Sequence, residues 1–245
     1  MASIVLVPGF WLGAWAWEDV TPALRAAGHD VHPLTLTGLA ERAAEATPDV
    51  DVHTHVDDIV RVVEGRDLRD VVLVGHSGGS LPVTGAGDRV PERIARIVHV
   101  DAGPLPGGTA LIDFNAPQTQ ERWRRQVAEE GEGWRLPVPP FDPAEEPADL
   151  AGLTGEHLAR IRRSATPQPF ATATRPLERP AVTPDIPCSV IASTFTPEEV
   201  RALADSGNPF FAPMAGTDLH HLPTGHWPMF SRPGELAALL DGIAR

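Results

Sequence analysis

Short runs of β-branched and aliphatic residues alternate with helix-forming stretches along most of this chain. That alternation constrains its fold more than any other feature. "SIVLV" (3–7), "DVHPLTL" (30–36), "VVLVG" (71–75), "IVHVDAG" (97–103), "CSVIAS" (188–193) and "DLHHL" (218–222) read as six strands. Helical patterns separate them: about Ala14 to Ala27, about Val56 to Glu64, the stretch after Ser77, and Gly234 to Ala244. The last of these is expected to start after Ser231 as its cap, with Pro233 in the first turn. Strands apolar on both faces and joined through helices form a doubly wound, mostly parallel sheet. The expected class is therefore α/β, with about six strands. A chain of 245 residues has room for one such core.

Residues 104–180 break this rhythm. They are rich in Pro and Glu, carry "PVPPFDP" (137–143), and hold helical patterns near 117–129 and 155–164. Ligands bind beyond the carboxyl ends of parallel strands, so a long excursion after the fourth strand is placed to cover them. Phe114, Trp123, Trp134, Phe141 and Phe170 need a surface to pack against. We read 104–180 as a helical cap on the C-terminal edge of a core built from 1–103 and 181–245.

The third strand runs straight into Gly75-His76-Ser77-Gly78-Gly79. A serine at a strand-to-helix turn projects its hydroxyl above the sheet, and glycines on either side let strand and helix approach closely. The helix that follows aims its first N–H groups at the serine, so the Gly78 N–H can stabilise an oxyanion. A serine hydroxyl needs a base to act as a nucleophile. Among ten histidines, His226 in "LPTGHWPMF" follows the sixth strand and precedes the last helix, on the edge that carries Ser77. His99 lies within a strand and reads as core, whereas His76 reads as pocket wall. Trp15 and Trp17 read as core.

Several classes of function are disfavoured. With 33 acidic against 20 basic residues and a net charge of −13, the chain lacks the basic face that nucleic acid requires. Every basic residue is Arg, and there is neither Lys nor Tyr, so Schiff-base and tyrosine acid–base chemistry are excluded. The Arg, Ala, Pro and Gly bias suggests a high-GC bacterial genome. "VHTHVDD" (52–58) places His53, His55, Asp57 and Asp58 together, but reads as a solvated helix start rather than a metal site. His220 and His221 fall on opposite faces of a strand. No metal or other cofactor is expected. Cys188 reads as a small buried thiol in a reducing compartment. "MASIVLVPGF" has neither a basic leader nor a membrane-spanning length, so the expectation is a soluble, cytoplasmic protein with a small-molecule substrate.

"VLVPGFWLGAWAWEDV" (5–20), "LVGHSGGS" (73–80), "VHVDAGPLPGG" (98–108), "TPQPFATATRPL" (166–177) and "TGHWPMFSRPGELAALL" (224–240) together resemble the α/β-hydrolase fold. The resemblance is to its small capped esterase and hydroxynitrile-lyase-like branch. It implies Ser77 as nucleophile, His226 as base, and the N–H groups of Phe10 and Gly78 as the oxyanion hole. The family's usual His-Gly is Pro8-Gly9 here. Cyanohydrin lyases of the branch resemble a pattern with Thr and Lys where this chain has Gly9 and Trp227. The acid usually follows the strand "CSVIAS", yet "STFTPEEV" (193–200) holds only Glu198 and Glu199, which read as a helix's first turn. Asp101, at the end of the preceding strand and 24 residues after Ser77, is the favoured candidate, at a site some α/β hydrolases use, with Glu198 or Glu199 as the alternative.

The expected activity is hydrolysis of a small, mostly apolar carboxylic ester through an acyl-enzyme. Trp11, His76, Trp123, Trp227 and Met229 are expected to line a mostly apolar pocket. The alternatives are a non-hydrolytic lyase or cyclase using the same residues, and a ligand-binding module.

Overall fold

A computed structural model describes residues 1–245. The first half is built from β1 (Ser3–Val7), α1 (Thr21–Ala26), β2 (Asp30–Pro33), α2 (Val52–Gly65), β3 (Val71–His76), α3 (Ser80–Arg89) and β4 (Ile94–Val100). The excursion then carries α4 (Pro117–Glu129), β5 (Arg135–Leu136), α5 (Gly155–Ser164), β6 (Gln168–Pro169) and α6 (Ala171–Thr174). The chain closes with β7 (Cys188–Ala192), α7 (Pro197–Asp205), β8 (Asp218–His221), α8 (Pro228–Ser231) and α9 (Pro233–Ile243). Six strands form one sheet in the order β2-β1-β3-β4-β7-β8, and every neighbouring pair is parallel. β5 and β6 make a separate two-residue antiparallel pair.

Alternation along the strands splits the interior into two layers. Ile4, Leu6, Val72 and Val74 face Trp17, Leu24, Leu236 and Leu240 on one side of the sheet. Val5, Val7 and Leu73 face Val56, Ile59 and Leu81 on the other. The sheet is thus covered by helices on both faces, as the strand pattern required. After β1 the chain winds outward to β2, and after β3 it winds the opposite way to β4. The resulting crevice at the carboxyl ends of β1 and β3 is where such folds place a ligand.

Several element boundaries differ from expectation. The first helix is broken: a 3-10 turn covers Ala14–Trp17, and α1 begins only at Thr21 because Pro22 has no N–H to continue a ladder. β2 ends at Pro33, which an edge strand tolerates. α2 starts at Val52, because the Asp51 carboxylate accepts the His53 and Thr54 N–H groups. Its first turns are not simply solvated. His55 and Asp58 are buried, and Asp58 accepts the Thr37 N–H at 2.7 Å and the Thr37 hydroxyl at 3.0 Å, with Arg42 and Arg61 beside it. Ser231 does not cap α9; it ends α8, and its hydroxyl meets Thr224 Oγ1 at 2.7 Å.

The excursion is less separable than a cap drawn at 104–180 implies. Phe141, Leu150, Leu158 and Ile161 belong to the same core as Trp17 and Phe230. Phe114 stays exposed, packed against Phe210 and Phe211. No helix is long and apolar enough to cross a membrane.

Candidate active site

Ser77 and Asp101 occupy equivalent places on adjacent strands. His76 pairs with Val100 in the β3–β4 register, so each residue is the first beyond its strand. Both turn through the left-handed region, with φ of 48° at Ser77 and 45° at Asp101. Such conformations cost non-glycine residues about 1–3 kcal/mol and persist only where surrounding structure enforces them. At Ser77 the enforcement is steric. A Cβ on Gly75 would come 2.7 Å from the Gly79 carbonyl oxygen, and one on Gly79 would come 2.5 Å from that of Pro8.

His226 closes the arrangement. Its Nε2 accepts the Ser77 hydroxyl at 2.8 Å, and its Nδ1–H donates to Asp101 Oδ2 at 2.6 Å. Asp101 is held in turn by the loop after β7. The Ser193 and Thr194 N–H groups donate to Oδ1 at 2.9 Å each, and the Thr194 hydroxyl donates to Oδ2 at 2.9 Å. Glu198 and Glu199 take no part. Glu199 accepts the Thr196 N–H and hydroxyl in the first turn of α7, and Glu198 faces Arg201.

The main chain of the histidine loop is fixed from two sides. The His226 N–H donates to the Asp149 carbonyl at 2.7 Å, and His76 Nε2–H donates to the His226 carbonyl at 2.7 Å. A Cβ on Gly225 would sit on the Asp149 carbonyl, so the loop and the 149–151 turn meet backbone to backbone.

Burial and charge set the protonation states. Burial alone would raise Asp101, but the His226 hydrogen bond and charge and the two amides outweigh it and hold the carboxyl at about 2. Burial pulls His226 down, while the Asp101 hydrogen bond and charge lift it above the ordinary imidazole value. His76 is pushed down to about 3, by burial first and by the neighbouring His226 second. It is therefore a neutral donor at physiological pH.

These residues open onto a cavity of about 620 Å³. Phe10, Trp11, His76, Trp123 and Trp227 line it, with the Phe10 and Trp123 rings 6.3 Å apart. Met229 does not: α8 turns it fully into the core with Leu222 and Phe230. The wall is also less apolar than expected, since the excursion contributes Arg122, Gln126, Glu145, Glu146 and Asp149. Burial and then the Asp149 charge hold Glu146 above the usual carboxylate range. A second, aromatic side is formed by Phe114, Phe195 and Phe211 with Met214.

Elsewhere, His99 is buried in the sheet. Cys188 is half-buried, its thiol pushed up to about 11 by burial and so protonated. No group of three or more His, Cys, Asp or Glu side chains converges to hold a metal ion. Sequence reasoning missed Ser193 and Thr194, because they hold Asp101 through two main-chain N–H groups and one hydroxyl from 92 and 93 positions away, which no local motif marks.

The model of the alpha/beta hydrolase family matches residues 4–239. The chain belongs to that family. This alpha/beta hydrolase is 30% identical over 259 residues to the carbendazim hydrolyzing esterase of Nocardioides sp. (strain SG-4G), covering 99% of this chain and all of that protein. It is 27% identical to methylesterase 7 of Arabidopsis thaliana, over 99% of this chain and 96% of that one. Among solved structures, an extracellular alpha/beta-hydrolase from a Paenibacillus species superposes with a TM-score of 0.82 at 20% identity, over 98% of both chains. The expectation of an α/β-fold hydrolase is borne out.

Proposed function

We propose that this alpha/beta hydrolase is a serine esterase, cleaving a small, mostly apolar carboxylic ester through an acyl-enzyme on Ser77. The observation that carries the reading is the unbroken hydrogen-bond chain Ser77–His226–Asp101 at the floor of the cavity. Full-length similarity to proteins named as esterases supports the reaction class.

In the first half-reaction Ser77 Oγ attacks the ester carbonyl carbon as its proton passes to His226 Nε2. The tetrahedral oxyanion accepts hydrogen bonds from the Phe10 and Gly78 N–H groups. His226 then protonates the departing alkoxide, so the alcohol leaves and the acyl group stays on Ser77. In the second, His226 takes a proton from water, the hydroxide attacks the acyl carbon, and the carboxylic acid leaves with Ser77 restored. Asp101 fixes the imidazole tautomer and balances the imidazolium charge in both halves. The half-buried single cysteine suits a reducing compartment, so the cytoplasm is part of the same proposal.

The test is hydrolysis of a short p-nitrophenyl ester series by wild type and Ser77→Ala, with fluorophosphonate labelling alongside. Turnover and labelling in wild type, both absent from a folded Ser77→Ala, are expected. Full activity in Ser77→Ala would overturn the nucleophile assignment. Neither turnover nor labelling in folded wild type would overturn the esterase reading.

A further inference from the structure

The turn at Phe10–Trp11 is held from behind by the excursion, through a buried amide side chain. Trp11 has a φ of 66°, left-handed for a bulky residue, so the turn does not hold itself. Both main-chain groups of Trp11 are gripped by the segment 166–168. The Thr166 N–H donates to the Trp11 carbonyl at 3.0 Å, and the Trp11 N–H donates to Gln168 Oε1 at 3.0 Å.

Gln168 is 1% exposed. Its Nε2 donates to Thr172 Oγ1 at 2.9 Å, and that hydroxyl donates to the Pro169 carbonyl at 2.6 Å. With the nitrogen committed to Thr172, the amide oxygen faces Trp11. Gln168 does not line the cavity; it shares a small hollow behind the turn with Pro8, Gly9, Gly78 and Gly79. On the other side of the turn, no hydrogen bond within the protein uses the Phe10 N–H. The Phe10 ring presses on Gly78, where a Cβ would lie 2.5 Å from Phe10 Cδ1.

We propose that Gln168 is a positioning residue for the oxyanion donor: it locks the Phe10–Trp11 turn and so aims the Phe10 N–H, without touching substrate. The proposal deepens the serine-esterase reading and rests on it. Without the amide oxygen, the Trp11 N–H is buried with no acceptor, and the strained turn relaxes toward an ordinary φ. The peptide that carries the Phe10 N–H then rotates with it.

Gln168→Met keeps length and removes the acceptor; Gln168→Glu keeps an oxygen for Trp11 and, neutral as its burial favours, an O–H that donates to Thr172 Oγ1. Losing an oxyanion donor outright costs about 10²–10³ in kcat, so misaiming one through Gln168→Met is expected to cost about 10-fold or more. KM on a p-nitrophenyl ester should stay within about twofold, because the donor acts on charge that develops only in the transition state. Gln168→Glu should return kcat to within about threefold of wild type. A boronic acid, which becomes a tetrahedral anion on Ser77, should lose affinity in Gln168→Met by the factor lost in kcat/KM and regain it in Gln168→Glu. Thr172→Val, which frees Nε2, gives a smaller loss in the same direction and serves if Gln168→Met does not fold.

An unchanged kcat in Gln168→Met, with turnover still dependent on Ser77, overturns the proposal and leaves the esterase reading standing. Equal losses in the Met and Glu variants, or a loss carried by KM alone, also overturn it, since Gln168 is then packing or wall. A wild type without Ser77-dependent turnover overturns the reading and the proposal together.

Discussion

His226 sits between two demands, and its acid–base behaviour follows from which one wins. As the proposed base it must be neutral to accept the Ser77 proton, yet Asp101 holds it above the 6.5 of a free imidazole despite burial. The proposed base is therefore protonated, and activity lost, as pH falls through a value higher than 6.5. The acid limb of kcat/KM for a p-nitrophenyl ester should report that value directly. In Asp101→Asn the charge that lifts the imidazole is gone while the burial remains, so the limb should move to lower pH. The rate should also drop by about 10³–10⁴ as the imidazole loses its orienting partner. A limb that stays in place, or a near-normal rate, would remove Asp101 from the mechanism.

At the scale of elements, what could be read from the sequence was what is local. The six strands, the serine turn and the helices at 117–129 and 155–164 all depend on neighbours a few residues apart. What escaped reading depends on distant partners. Thr194 meets Asp101 across 93 positions and Gln168 meets Trp11 across 157, and no spacing rule reaches that far. Met229 looked like pocket lining because it lies two residues beyond Trp227, but that spacing at the start of α8 turns it away from the cavity and into the core. The start of α2 misled in a related way. Its Asp58 looked like a solvated helix charge, and it instead pins the loop after β2 to that helix through Thr37 and Arg42. Asp58→Ala would leave the half-buried Thr37 N–H without its acceptor, while Arg42 keeps Glu45, at a cost of about 1–3 kcal/mol in urea unfolding. Burial raises the Asp58 carboxyl, but its Thr37 and Arg42 contacts win and hold it below 3.8. Its contribution is thus complete above pH 3.8 and lost as pH falls through the folded value, so wild type and variant should converge in acid. Equal stabilities at neutral pH would refute this account.

At the scale of the whole molecule, the excursion and the sheet share one core, with Phe141 as a pin between them. Its ring, fully buried, packs 6.2 Å from Trp11 and 5.4 Å from Trp227, so it touches both loops that flank Ser77. Phe141→Ala should therefore lower global stability by about 3–5 kcal/mol in a single unfolding transition. A separate early transition confined to the excursion would show a detachable cap instead. The position of the proposed acid has a consequence for descent as well. With Asp101 at the end of β4, the loop after β7 supplies two backbone N–H groups and one hydroxyl, and no reacting side chain. Amides are supplied by any non-proline residue, so mutation can pass through this loop without disarming the enzyme. Phe195, which lines the cavity from the same loop, makes none of these bonds. In lineages of this kind, diet is expected to change faster than chemistry.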